Sequence, residues 1–187
     1  IDLLVLGAFH DRGASTTAAI GATAQRVVQH APASVLMVKG RNKPIRRILA
    51  CVAVDDDVAV DVAAQMARAL EADLRLLHVV PPSAASYLAS THGPAINLED
   101  VVTQGTRLAE VIEGWIAKLE KQGFQRDAIM VRKGNVPEAI LEVIHGGNQD
   151  LLVVGSQSGP GHFLGSVANA VVRFAEESVL IVRTRAQ

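Results

Sequence analysis

A glycine-rich loop between an apolar strand and a helix is the stretch of this sequence best suited to binding chemistry. The apolar run 151–154 stops at Gly155, Gly, Ser and Pro residues follow, and a helix-like pattern begins at Ser166. A strand, a glycine loop and a helix in this order bring backbone N–H groups and a helix N-terminus to one place, which suits phosphate. Glycine at 155 is expected to turn the chain with positive φ and to let an anion touch the backbone. An ordinary turn that binds nothing is the alternative.

Other kinds of chemistry fit this stretch and its surroundings less well. Gly159, Gly161 and Gly165 are spaced one residue too widely for a dinucleotide fingerprint. No Lys precedes Ser166 as a P-loop requires, and Gln157 stands where a nucleophile elbow needs Ser. The histidines show no metal-ligand spacing, and no general base or arginine finger is evident. We therefore predict no catalytic residue and no metal site.

Composition limits the class of protein. The chain has 187 residues with a formal net charge of −1, so it lacks the excess of positive charge expected of a protein that binds nucleic acid or an anionic membrane. Its longest apolar runs, such as 48–54, are about seven residues, too short for a membrane span. No signal-peptide pattern opens the sequence. The single cysteine, Cys51, cannot form an internal disulfide, so a reduced, cytoplasmic setting is expected.

An internal repeat predicts how the chain is divided. Residues 2–7 read like 150–155, and residues 21–28 and 33–38 read like 165–172 and 177–182. The first pair is 148 positions apart and the other two are 144 apart, so the second copy has the shorter loop. We predict that residues 1–40 are the C-terminal strand–helix–strand part of a first domain. Residues 46–184 are then a complete second domain, preceded by a polar, basic linker.

Strand and helix patterns alternate through the second domain. Apolar runs predict five strands, at 46–54, 73–80, 128–132, 150–155 and 178–183. Helices are expected after Asp56 or Asp57, as one long helix from Leu98 to Gly123, after Asn135, and from Ser166 to Glu176. This alternation predicts an α/β fold with an open, mainly parallel five-stranded sheet and helices on both faces. Ligands bind such sheets beyond the carboxyl ends of the strands.

These motifs together resemble the universal stress protein family. The features are the strand end Val54-Asp55, the strand 76–79, the segment 150–156, the Gly165-Ser166-Val167 helix start and the closing strand 178–183. The resemblance implies a Rossmann-like, adenine-nucleotide-binding fold and a stress-response sensor or switch that binds ATP or a related nucleotide. Such a protein would hydrolyse ATP slowly at most, because no general base or arginine finger is evident. The alternative is a family member that binds no nucleotide and acts as a dimeric interaction module.

The resemblance also implies a binding site, because ATP-binding members carry a G-x2-G-x9-G-[S/T] pattern after the fourth strand. Asp55 would meet the adenosine, the backbone at Val79 the adenine edge, and the glycine loop the phosphates, with or without Mg²⁺. The loop departs from the pattern, since Gly155 and Gly165 are ten positions apart instead of thirteen. Asp57 stands where Ser is common, and its carboxylate would repel phosphate unless Mg²⁺ intervened. The implied site residues are Ala53, Val54, Asp55, Val79, Gly155, Ser156, Gly159, Gly161, His162, Gly165, Ser166 and Val167.

The last strand of each copy is apolar and would lie at a sheet edge, where it invites pairing. We predict that 34–39 and 178–183 pair antiparallel across a pseudo-two-fold axis. Self-association of this kind resembles the dimers that family members form through the same strand. The side chains expected to face one another are Val35, Met37, Val179 and Ile181.

Overall fold

The fold is a single β-sheet with helices on both faces. The computed structural model describes residues 3–7, 21–39, 43–83, 93–158 and 164–185. The strands are β1 (Leu3–Gly7), β2 (Ser34–Val38), β3 (Arg47–Cys51), β4 (Asp73–Val80), β5 (Ala95–Ile96), β6 (Ile129–Lys133), β7 (Leu151–Ser158) and β8 (Ser178–Arg185). The helices are α1 (Ala22–His30), α2 (Asp57–Ala69), α3 (Leu98–Val102), α4 (Arg107–Lys121), α5 (Val136–Gly146) and α6 (Ser166–Phe174).

The order of the strands places a crevice at the centre of the sheet. Among the described residues the order is β1-β2-β8-β7-β3-β4-β6-β5. The five strands predicted for 46–184 are all present and form the parallel block β8-β7-β3-β4-β6. From β3 the chain moves outward to β4 and β6, and it then returns to the other side of β3 for β7 and β8. The junction of β3 and β7 is therefore the switch point, beyond which ligands bind in such sheets.

Side chains alternate between two apolar layers because successive strand residues point to opposite faces. On one face, Ile48 and Val153 pack with α2 and α4, including the fully buried Trp115. On the other face, Leu49 and Val154 pack with α5 and α6. The side chains that α2 buries are mostly small, at Ala59, Ala63, Ala64 and Ala67.

The predicted antiparallel pairing of the two copies' last strands is present within the chain. In β2 and β8, Val35 lies opposite Ile181 and Met37 lies opposite Val179. All four side chains are fully buried. They are therefore not a surface for a second chain, and association of two chains stays a prediction.

Several predicted boundaries are wrong. The long helix from Leu98 is two helices, α3 and α4, separated by a turn in which Gly105 has a φ of 60°. The sheet also gains the short β5, which pairs antiparallel with β6. Strand β3 ends at Cys51, before the predicted end at Val54.

Candidate ligand-binding site

A cavity of about 650 Å³ opens at the carboxyl ends of β3, β4 and β7. This volume lies in the range of small-molecule pockets. Eight of the predicted site residues line it: Ala53, Val54, Val79, Gly155, Ser156, Gly165, Ser166 and Val167. Gly159, Gly161 and His162 lie outside the described residues. Asp55 is described but is not part of the lining.

Parallel strand ends, a hydrogen-bonded turn and a helix cap place the lining residues around the cavity. β3, β4 and β7 are parallel neighbours, so their carboxyl ends meet at one edge. The turn after β3 is closed by a hydrogen bond from the Asp56 N–H to the Ala53 carbonyl, at 3.1 Å. Asn135 caps α5 by accepting from the Glu138 N–H, and Val136 and Ile140 of that helix form an apolar wall. The cavity is thus walled by β-strand ends and by the N-terminal parts of three helices, α4, α5 and α6.

The N-terminus of α6 points its first turn toward the cavity through Gly165, Ser166 and Val167. Gly165 occupies the N-cap and supplies no side-chain acceptor for the first N–H groups. Backbone donors at such a terminus favour a negatively charged or hydrogen-bonding ligand group. Gly165 and Ser166 are also exposed, so a ligand can reach them.

Of the acidic residues that the structure describes, Asp56 lines the cavity, whereas the predicted Asp55 does not. Asp55 is exposed, and its carboxylate lies 3.5 Å from the guanidinium of Arg107 on α4. Asp56 precedes α2, but its side chain does not cap that helix, which corrects one of the two predicted caps. Its Oδ2 instead accepts from the Ala53 N–H at 2.9 Å. Burial raises the pKa of the Asp56 carboxyl, an effect opposed by the Ala53 hydrogen bond and by His78.

Gly155 leaves room for a neighbouring side chain and does not have the positive φ that was predicted. Strand β7 continues through it to Ser158, and Gly155 is not among the described residues with positive φ. A Cβ at this position would overlap the carboxylate of Asp56. The negatively charged group that approaches the backbone here is therefore the protein's own side chain.

His78 closes the cavity on the side of β4. Its Nδ1 donates to the Val52 carbonyl oxygen at 2.9 Å, and its ring meets Trp115 edge-on at 5.7 Å. Burial lowers the pKa of His78, opposed by the Val52 hydrogen bond and by Asp56. His78 is therefore a buried histidine of the core, and it also lines the cavity.

Ser156 connects the cavity to the neighbouring part of the sheet. Its Oγ accepts from Arg183 Nη1 at 2.9 Å, and Arg183 also donates to the carbonyls of Val28 and Gln29 at the end of α1. Burial lowers the pKa of this guanidinium. Arg183 is not among the described lining residues, and its hydrogen bonds join β8 to the end of α1.

Sequence reasoning missed part of the lining. The residues not predicted are Cys51, Val52, Asp56, Leu77, His78, Val80, Pro81, Leu108, Val136, Ile140, Val154 and Ala168. Most are apolar, and their one common signal is a position near a strand end or in the first half of a helix. The described residues contain no group of three or more His, Cys, Asp or Glu side chains arranged to hold a metal ion. No helix within the described ranges has the length and apolar character needed to cross a membrane.

The model of the universal stress protein family matches residues 1–39 and 44–183. The chain belongs to the universal stress protein family. A search of the curated proteins found no match to the sequence.

Solved structures of universal stress proteins share the fold. The chain is similar to a universal stress protein from Archaeoglobus fulgidus, with a TM-score of 0.68 and 18% identity, over 97% of this chain. The chain spans 62% of the length of that protein. The Lactobacillus plantarum universal stress protein UspA is 22% identical with a TM-score of 0.55, over 76% of this chain and 100% of its own. A universal stress protein in complex with cAMP is 25% identical with a TM-score of 0.51, over 76% of this chain and 99% of its own.

Proposed function

We propose that this universal stress protein binds ATP or a related adenine nucleotide in the cavity at the switch point and acts as a nucleotide-dependent sensor or switch in a stress response. The observation that carries the proposal is the junction, in one cavity, of the β4 end at Val79, the β7 end at Gly155 and the N-terminus of α6. The complex of a 25% identical relative with cAMP supports the same ligand class.

The lining divides into parts that suit the parts of a nucleotide. Val79, Val136 and Ile140 are apolar and would flank the flat base. The backbone of Val79 would offer hydrogen bonds to the adenine edge. The uncapped N-terminus of α6 would receive the phosphate group.

We also propose that residues 1–40 are the last part of a first domain and that 46–184 form a complete second one. The internal repeat supports this division, because β1 and β2 pair in parallel just as β7 and β8 do. The registers of the two pairs also correspond. Leu3 lies opposite Ser34 in the first pair, and Leu151 lies opposite Ser178 in the second.

The second candidate is an interaction module that binds no nucleotide. It is favoured by the absence of Lys and Arg from residues 155–166, since triphosphate sites commonly use a cation. The two candidates differ in one measurable property, namely whether the purified protein has affinity for adenine compounds.

Calorimetric titration with adenosine, cAMP, AMP and ATP tests the proposal. Binding should also raise the melting temperature by about 5–10 °C at a ligand concentration one hundred times Kd. Val136→Trp, which fills the cavity from its rim, should abolish binding. Val58→Trp adds the same ring at an exposed position on α2 outside the lining and should leave binding unchanged. If no compound binds the natural sequence, the interaction module is the better description.

A further inference from the structure

The charge of the cavity lining differs from that of a typical triphosphate site. In the part of the lining that the structure describes, Asp56 is the one acidic residue and there is no Lys or Arg. The sequence between Gly155 and Ser166 contains one ionisable residue, His162, and no Lys or Arg. The fixed charge at the centre of the candidate site is therefore negative.

The nearby cations are directed to other partners. Arg107 lies against Asp55, and Lys118 donates to Asp57 and Asp61 on α2. Arg183 donates to Ser156 and to the carbonyls at the end of α1. None of these three cations lines the cavity. The carboxylate of Asp56 thus faces the cavity without a compensating cation in the described lining.

The position of the Asp56 carboxylate is fixed by the backbone. Oδ2 accepts from the Ala53 N–H, and the carboxylate lies against the Cα of Gly155, so it is held at the junction of β3 and β7. The side chain is partly buried, which weakens the screening of its charge by water. A carboxylate with an acceptor to spare can bind a ribose hydroxyl, but it repels a phosphate chain.

We propose that Asp56 makes this cavity select adenine compounds of low charge, such as adenosine or cAMP, over ATP. This inference rests on the proposed function and narrows its ligand class. Asp56 would accept a hydrogen bond from a ribose hydroxyl, which adenosine, cAMP and ATP all possess, so the selectivity would come from charge. The N-terminus of α6 accommodates one phosphate charge. The several charges of ATP are opposed by Asp56.

Titration calorimetry of the 187-residue chain with adenosine, cAMP and ATP in EDTA tests this selectivity. We expect adenosine and cAMP to bind at least about 10-fold more tightly than ATP, since one unfavourable charge contact of 1.4 kcal/mol changes affinity tenfold. Asp56→Asn keeps an oxygen acceptor for the Ala53 N–H and removes the charge. It should strengthen ATP binding about 10-fold and change adenosine binding little.

Asp57→Asn is the matched control, because Asp57 is exposed, bonds to Lys118 and lies outside the cavity lining. It should leave the ratio of ATP to adenosine affinity unchanged. Asp56→Ser serves as a second uncharged variant if Asp56→Asn is poorly folded. Equal affinity of the natural sequence for ATP and adenosine, or an unchanged ratio in both uncharged variants, would overturn the proposal.

Titration of ATP with Mg²⁺ separates charge repulsion from metal binding. If Asp56→Asn weakens binding of Mg²⁺–ATP, Asp56 is a metal ligand and the proposal is wrong. If the natural sequence binds none of the compounds, the proposed function itself fails, and the selectivity fails with it. Binding of all three with the predicted ratio supports both.

Discussion

Cys51 lies at the end of β3, where it belongs both to the apolar core and to the wall of the cavity. It is 5% exposed, and burial raises the pKa of its thiol to about 12. Alkylating reagents attack the thiolate, and this pKa leaves very little thiolate at neutral pH. Cys51 should therefore react slowly with alkylating reagents in the native protein. Because it lines the cavity, its alkylation rate should also depend on whether the cavity is occupied.

We expect iodoacetamide at pH 8 to alkylate Cys51 about 10³-fold more slowly in native buffer than in urea, where the thiol regains its ordinary pKa. Mass spectrometry measures the rate directly, because the sequence has one cysteine. Adenosine should slow the native reaction further by covering the cavity wall. Similar rates in buffer and in urea would show that the thiol is not buried as described.

At the level of single residues, the sequence predicts the neighbourhood of the site better than its individual side chains. Three carboxylates, Asp55, Asp56 and Asp57, follow β3, and the resemblance pointed to the first. The turn closed between Ala53 and Asp56 decides which one reaches the cavity, and the residue types alone do not encode that turn. For Gly155 the sequence predicts the approach of a ligand anion, whereas the group that lies against it in the structure is the Asp56 carboxylate.

At the level of elements, the break between α3 and α4 shows why periodicity can mislead. Val101 and Leu108 are seven residues apart, which is about two helical turns, so the apolar stripe continues across the break. The signals of the break are Gly105 in the left-handed region and Thr106, whose Oγ1 accepts from the Ala109 N–H. A glycine followed by a capping residue ends one helix and starts the next.

Two glycine-to-alanine substitutions in this region should have opposite effects. Gly105→Ala should lower the free energy of unfolding by about 1 kcal/mol, because a φ of 60° is unfavourable for a residue with a Cβ. Gly114→Ala should raise it by about 0.5–1 kcal/mol, because Gly114 lies within α4 with open space around its Cα. Urea unfolding measures both. A stabilising Gly105→Ala would mean that α3 and α4 are joined in solution.

At the level of the whole molecule, β2 and β8 are related by a local two-fold symmetry. The central pair is Leu36 opposite Leu180, which are 144 positions apart, the same offset as the repeat. The Ser178 Oγ accepts from the Lys39 N–H at 3.1 Å, and the Ser34 Oγ accepts from the Arg183 N–H at 3.0 Å. The two halves of the repeat thus make reciprocal hydrogen bonds.

The same symmetry relates two cationic side chains, each of which bonds to the end of a helix in the other half of the repeat. Arg183 donates to carbonyls at the end of α1, and Lys39, its counterpart in the repeat, donates to the carbonyls of Val172 and Ala175 at the end of α6. The repeat and the apolar strands were sufficient to predict the pairing of β2 with β8. These cation contacts could not be predicted, because they depend on the reach of side chains across the strand junction.

Lys39 is the better test of this exchange, since it is 5% exposed and its two hydrogen bonds are both 2.6 Å long. Burial lowers the pKa of its ammonium group to about 8, although Glu177 opposes this shift. Part of what the hydrogen bonds contribute is therefore offset by desolvation of the charge. Lys39→Met keeps the aliphatic length but leaves the two helix carbonyls without these donors. We expect the free energy of unfolding to fall by about 1–2 kcal/mol.

Lys118→Met is the matched control for Lys39→Met in urea unfolding. Lys118 also donates to two oxygens, of Asp57 and Asp61, but it lies at the surface with about a third of its side chain exposed. Surface ion pairs contribute little, so its loss should cost less than about 1 kcal/mol. A larger loss for Lys118→Met than for Lys39→Met would contradict the role of Lys39 in joining the halves. A loss confined to Lys39→Met would show that the end of α6, whose N-terminus borders the cavity, is held by the other half of the repeat.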